Sequence, residues 1–195
     1  MDQETLFGTE YRCILMDPPW MERGGGKCKR GADRHYGLMD ARKVASVVQA
    51  SPGWRPAKDA HLWCWATDNY LEDGLWLVRE LGFRYVRTWV WVKWSPPASS
   101  CVCGAPERGF QVGLGQYARG SHELLLLSTR GRACVPPPGA RGPSVFFARR
   151  TEYSRKPDEA FAVVERVSPG PRLEMFARTA RKGWDCWGNE APGGG

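Results

Sequence analysis

Short apolar runs alternate along this chain with stretches whose apolar residues recur at helical spacing. Tyr11-Arg12-Cys13-Ile14-Leu15-Met16 reads as a buried strand, and Pro18-Pro19 must end it, because two successive prolines cannot donate to a sheet ladder. Asp40 is placed to cap a helix that carries Val44, Val47 and Val48 on one face and stops before Ser51-Pro52-Gly53. Residues 61–66 form the next strand. Asp68 is expected to cap a second helix, with Leu71, Leu75, Leu77, Val78 and Leu81 as its core stripe and Gly82 as its stop. An aromatic and β-branched strand covers residues 83–94, and further strands cover 122–128 and 144–148. Pro157 is expected in the first turn of a third helix carrying Phe161, Val164 and Val167, before two short strands at 172–176 and 184–187. Strands and helices alternate without an internal repeat or linker, which predicts one α/β domain over residues 1–195. The glycine-rich stretch 23–36 and the long stretch 95–120 read as mobile loops beside a site, and residues 191–195 as a frayed tail.

Composition narrows the class. Apolar residues make up 42% and charged residues 25% of the 195, as in ordinary soluble domains. No apolar run approaches the roughly 18 residues a membrane helix needs, and Met1-Asp2-Gln3-Glu4 is acidic where a secretory signal would be basic. Seven cysteines, an odd number, suit reduced thiols in a cytoplasm, and Cys101-Val102-Cys103 lacks the paired spacing of a zinc site, so no metal is expected. The net charge of +7 gathers in loops: Lys27, Lys29, Arg30 and Arg34; Arg130, Arg132 and Arg141; Arg149, Arg150 and Arg155; Arg178, Arg181 and Lys182. Charges of this kind are commonly just solvated surface. Here they flank the end of the first strand, which favours a polyanionic partner, nucleic acid.

At that strand end stand Asp17-Pro18-Pro19-Trp20. A carboxylate, rigid carbonyls and an indole at a strand's carboxyl end are what a site needs to hold a nucleobase by its face and its exocyclic amine. The plainer alternative is a proline turn beside a core tryptophan. Most of the ten tryptophans are expected in the core, and only Trp20 is read as a base stacker. Lys93, at the end of one strand, and His122-Glu123, at the start of another, are expected at the same rim, with His122 as a structural hydrogen-bonder.

Asp17-Pro18-Pro19-Trp20 resembles the catalytic motif of the MT-A type N6-adenine methyltransferases, the family of the catalytic subunit that writes N6-methyladenosine in messenger RNA. Tyr36-Gly37-Leu38-Met39, Trp91-Val92-Lys93, Ser154-Arg155-Lys156-Pro157-Asp158-Glu159, Leu173-Glu174-Met175-Phe176-Ala177-Arg178 and Trp187-Gly188-Asn189-Glu190 follow in the family's order, so the resemblance runs from Tyr11 to Glu190. It implies a Rossmann-like S-adenosylmethionine-dependent methyltransferase fold, circularly permuted because the motif strand precedes the cofactor segment. The two chain ends should then be neighbouring strands, with Asp17 beside Phe176 and Asn189. It implies catalysis by Asp17, Pro18, Pro19 and Trp20. Asp17, Ser154, Lys156, Glu174, Phe176, Arg178, Asn189 and Glu190 would bind the cofactor. Trp20, Lys27, Lys29, Arg30, Tyr36 and Lys93 would meet a nucleic acid bearing an unpaired or flipped adenine. DNA is slightly favoured over RNA, with a bacterial or phage origin expected. A catalytically silent nucleic-acid-binding scaffold of the same fold is the alternative. Methylation of a protein amide is a third reading, against which Trp20 and the basic balance count. Whether the chain acts as a monomer or a homodimer is left open.

Overall fold

The computed structural model describes residues 8–21, 39–94, 109–113, 117–150 and 155–188. They form a mixed seven-stranded sheet with helices on both faces. In chain order the strands are β1 (Tyr11–Met16), β2 (Pro56–Ala66), β3 (Arg84–Lys93), β4 (His122–Arg130), β5 (Val145–Ala148), β6 (Arg172–Met175) and β7 (Asp185–Trp187). The helices are α1 (Ala41–Ala50), α2 (Leu71–Glu80) and α3 (Asp158–Val167). The spatial order is β5-β3-β4-β2-β1-β6-β7. β1 runs parallel to both β2 and β6, β6 to β7 and β3 to β5, whereas β4 is antiparallel to both its neighbours. Chain start and chain end therefore meet at the β1–β6 pair, as the motif order predicts.

Alternation along the strands divides the core into two layers. Ile14, Met16, Leu62, Cys64, Leu124, Leu126, Leu173 and Met175 face α1 and α2, packing on Val44, Val48, Leu77 and Val78. Cys13, Leu15, Trp63, Trp65, Leu125, Leu127, Trp89 and Trp91 face α3 and pack on Phe161, Val164 and Val167. A register shift between Tyr11 and Cys13 puts Tyr11 on the α1 face with Ile14. Trp63, Trp65, Trp89, Trp91 and Trp184 are buried, and Trp63–Trp89 and Trp65–Trp91 meet edge to face.

The local signals act mostly where expected. The Asp40 carboxylate accepts from the Lys43 N–H at 2.7 Å and caps α1. Gly82, at φ +82°, closes α2. Three readings need correction. Asp68 does not cap α2: it lies inside a 3-10 turn, Asp68–Tyr70, and its side chain is taken by His122. Pro157 is the N-cap of α3, one place before the first turn. Lastly, β2 begins five residues earlier than its apolar run, because Lys58 and Asp59 on its early part are exposed and carry no hydrophobic signal. Among the described residues no helix is long and apolar enough to cross a membrane.

Candidate active site

All strands but β4 point their carboxyl ends to one rim, and β4, running the other way, brings its first residues there. Asp17, Lys93, Trp94, His122, Glu123 and the segment after β6 thus converge from strands far apart in sequence.

The charges at the rim form a chain. Lys156 Nζ donates to Asp17 Oδ2 at 2.8 Å and lies 3.3 Å from Glu123 Oε2, while Lys93 Nζ stands 2.7 Å from Glu123 Oε1. Lys156 is only 13% exposed at its side chain and its ammonium sits over the Trp65 ring, 5.2 Å from the centroid. Burial alone would pull its pKa down. The Asp17 and Glu123 carboxylates outweigh that and hold it above the ordinary lysine value. Burial likewise pushes Glu123 up, and Lys156 and Lys93 together bring it below the ordinary carboxylate value. Lys93 also lies over the Trp91 ring, at 5.4 Å.

The segment after β6 forms the other wall. The Asp17 N–H points to the Met175 carbonyl across 3.5 Å, which sets Asp17 beside Phe176. Phe176 is buried, packs edge to face on Trp187, and has φ +62°, a conformation a bulky side chain rarely adopts. Behind it the Ala177 N–H donates to the Trp187 carbonyl at 3.0 Å, and a Cβ at Gly188 would stand 2.8–3.0 Å from the Phe176 and Ala177 backbone, so only glycine fits. Glu174 projects from β6 at the same rim. Burial raises its pKa to about 7, with a contribution from Asp17, against the pull of Arg181. Arg181 is anchored by Asp158 at the start of α3 and lies over the Phe161 ring.

Trp20 sits between core and solvent. Its Nε1–H donates to the Trp65 carbonyl at 3.0 Å, and Tyr70 stacks on one ring face, centroids 5.5 Å apart at 9°. The Pro18 carbonyl accepts the Trp20 N–H at 2.9 Å, leaving one lone pair for another donor. The Pro19 carbonyl accepts from Met39 at 2.9 Å, which ties the motif to the start of α1.

Of the residues singled out in the sequence, Asp17, Pro18, Pro19, Trp20, Lys93, Lys156, Glu174, Phe176 and Arg178 lie along this rim or on the segments that build it. Lys27, Lys29, Arg30, Tyr36, Ser154, Asn189 and Glu190 lie outside the described residues, as do the 23–36 loop, residues 95–108 and 114–116 of the second loop, and the tail. Residues 109–113 of the second loop are bound to β3: Phe110 bridges to Trp94 and the Gln111 N–H donates to the Lys93 carbonyl at 2.7 Å. Glu123 was legible only as a rim residue. Its one signal is an acid opening an otherwise apolar strand, His122-Glu123-Leu124-Leu125-Leu126-Leu127.

The MT-A70 family profile matches residues 11–190, from the first strand to past the last. The chain belongs to the MT-A70 family. Its mixed α/β sheet fits the S-adenosylmethionine methyltransferase type of fold. It is 29% identical to a Medicago truncatula protein named "Putative N(6)-adenosine-methyltransferase MT-A70-like", over 94% of the chain and 27% of that relative. It is 27% identical to the "N6-methyladenosine RNA methyltransferase MTA1" of Cryphonectria parasitica, over 92% of the chain and 51% of the relative. It is 24% identical to the "Type II methyltransferase M.MunI" of Mycoplasma sp, over 94% and 78%. This MT-A70 chain thus spans about a quarter of the plant relative and about half of the fungal one.

Proposed function

We propose that this chain is an S-adenosylmethionine-dependent methyltransferase acting on the exocyclic N6 amine of adenine in nucleic acid. The observation that carries the reading is the Lys156–Asp17 pair, 2.8 Å apart at the carboxyl rim. An opposed ammonium and carboxylate match the two ends of a zwitterionic amino acid, as the methionine part of the cofactor is. Lys156 would hold its carboxylate and Asp17 its ammonium, with Glu174 and the φ-positive turn at Phe176 beside them. Arg178, and the undescribed Ser154, Asn189 and Glu190, enter the same reading by resemblance. The cofactor, when bound, supplies an electrophilic methyl group on a sulfonium.

The chain's own residues would prepare the amine. Its lone pair is delocalised into the adenine ring, so the nitrogen must be pulled toward tetrahedral geometry. The Asp17 carboxylate and the free lone pair of the Pro18 carbonyl can accept its two hydrogens. Proline's fixed φ, and the Trp20 N–H already bonded to that carbonyl, keep the acceptor from turning away. Asp17 and Pro18 would hold the amine so until it has taken the methyl group, after which the nitrogen would release a proton to solvent. Trp20, one face backed by Tyr70, offers its other face to the base. We also read the connectivity as permuted, the motif strand coming first and the cofactor strand sixth.

DNA is slightly favoured as the acceptor, since of the three relatives named above the one the chain covers most fully is a type II methyltransferase. Incubation with tritiated cofactor and single- and double-stranded DNA and RNA, followed by nucleoside analysis, should yield N6-methyladenine from at least one polymer. Label in no nucleoside, with no heat of cofactor binding in calorimetry, would make the chain a silent scaffold.

A further inference from the structure

Beyond Lys93 the rim continues as a different surface. Trp94 follows Lys93 directly, its N–H donating to the Ala148 carbonyl at 3.1 Å, and it bridges to Phe110. Gly109, at φ +95°, lies so close to the Trp94 indole that any side chain there would collide with the ring. The Arg150 N–H donates to Gln111 Oε1 at 2.6 Å, closing the ends of β3 and β5 and residues 109–111 into one unit. Pairing of Val92 with Phe147 and Val90 with Val145 puts all four on the sheet face that carries α1 and α2, but no helix among the described residues covers it at β5. Trp94 is 37%, Phe110 42% and Phe147 58% exposed. Arg149 and Arg150, exposed directly after β5, meet no carboxylate among the described residues.

Large aromatic rings held open to solvent by backbone bonds, interleaved with exposed guanidiniums, match a strand of unpaired bases on a phosphate backbone: rings for the bases, cations for the phosphates. The charge excludes a basic partner, and a second copy would bring the same arginines against each other. We infer that Trp94, Phe110, Phe147, Arg149 and Arg150 form a platform for the single-stranded nucleic acid flanking the target adenine, a reading that rests on the proposed function. Its position fits. Trp94 is one residue from Lys93, whose ion chain through Glu123 and Lys156 ends at Asp17. β3 is three places from β1 in the sheet, so the platform begins roughly 14 Å from the motif at about 4.8 Å per strand.

The test is fluorescence anisotropy of the full chain with fluorescein-labelled single-stranded oligodeoxynucleotide, oligoribonucleotide and duplex over a salt series. Phe110→Ala and Trp94→Ala should each weaken single-strand binding about 5- to 150-fold. Trp94→Phe, which keeps a ring and the fold, should stay near wild type. The double variant Arg149→Ala/Arg150→Ala should lower the slope of log affinity against log salt by about 1.4. Calorimetric binding of S-adenosylhomocysteine and the melting temperature should not move. Unchanged single-strand affinity in a folded Phe110→Ala, an unchanged salt slope, or a dimer in sedimentation that Phe147→Ala dissociates without affecting oligonucleotide binding would overturn the platform. If the variants weaken binding and wild type methylates no adenine, the platform stands and the enzyme reading falls. If methylation proceeds with the same oligonucleotide KM in every variant, the enzyme stands and the platform falls.

Discussion

The carboxylate of Asp17 faces a lysine 139 positions further along the chain, 2.8 Å away, and this pairing makes a clean variant available. Asp17→Asn keeps the shape and one acceptor oxygen while removing the charge. Methyl transfer should fall at least tenfold, about 1.4 kcal/mol of transition-state stabilisation. Lys156 retains Glu123 as a counter-charge, so the melting temperature should change little; a folded Asp17→Asn protein at full rate would remove Asp17 from the chemistry. Glu174 gives a second handle. With its pKa near 7 it is partly protonated at neutral pH, and a cation arriving beside it and Asp17 must favour the ionised form. Cofactor binding at pH 7 should therefore release protons, seen as a binding enthalpy that varies with the ionisation enthalpy of the buffer, and Glu174→Gln should abolish that variation. Asp17 and Lys156 were legible in the sequence because each stands in a short motif. Glu123 was legible in its place at the rim but not in its role, which arises only when an antiparallel strand is inserted between two parallel ones.

At the scale of elements, what was legible depended on whether the signal is local. Asp40 caps α1 and Gly82 ends α2 as their sequences indicate, since a cap needs only residues three or four places away. Asp68 looked equally like a cap, yet His122, 54 positions away, takes its carboxylate across 3.1 Å. The direction of β4 left no trace in an apolar run that would suit either polarity. The junction of β6 and β7 was half legible: Leu173–Arg178 stood out as a motif, but nothing in it marks Phe176 for φ +62° or Gly188 for close approach. Gly188→Ala tests that junction. The added methyl meets backbone at 2.8–3.0 Å, which cannot move as a side chain would. A loss of about 1–3 kcal/mol in unfolding free energy is expected, together with weaker cofactor binding as the Phe176 turn shifts. Wild-type stability in Gly188→Ala would show that the strand ends separate at no cost.

For the whole molecule, the buried carboxyl groups at the rim oppose each other in acid, and this sets its pH response. Glu174, raised by burial, binds its proton more tightly folded than unfolded. Its contribution to stability is fully present below about 4.5 and is lost as pH rises toward 7. Glu123 is held below the ordinary value by Lys156 and Lys93, so its contribution is present at neutral pH and lost as pH falls through the acid range. At the far end of the sheet, buried His61 is held neutral: its Nδ1 lies 2.7 Å from Ser168 Oγ, and burial lowers its pKa. It therefore costs stability below its ordinary value of 6.5, against the gain from Glu174. Because these cross, the wild-type profile alone decides nothing, and the difference between wild type and Glu174→Gln does. Urea unfolding from pH 4.5 to 7.5 should show the variant gaining on wild type as pH rises, by of order 1–2 kcal/mol once the solvent contact of Glu174 is discounted. Glu123→Gln should behave differently: destabilised by about 3 kcal/mol at neutral pH, where two ammoniums lose their shared carboxylate, with the deficit shrinking in acid as wild-type Glu123 itself is protonated. Parallel profiles for wild type and Glu174→Gln would mean that Glu174 titrates as an ordinary surface acid and that the rim beside Asp17 is wetter than its burial implies.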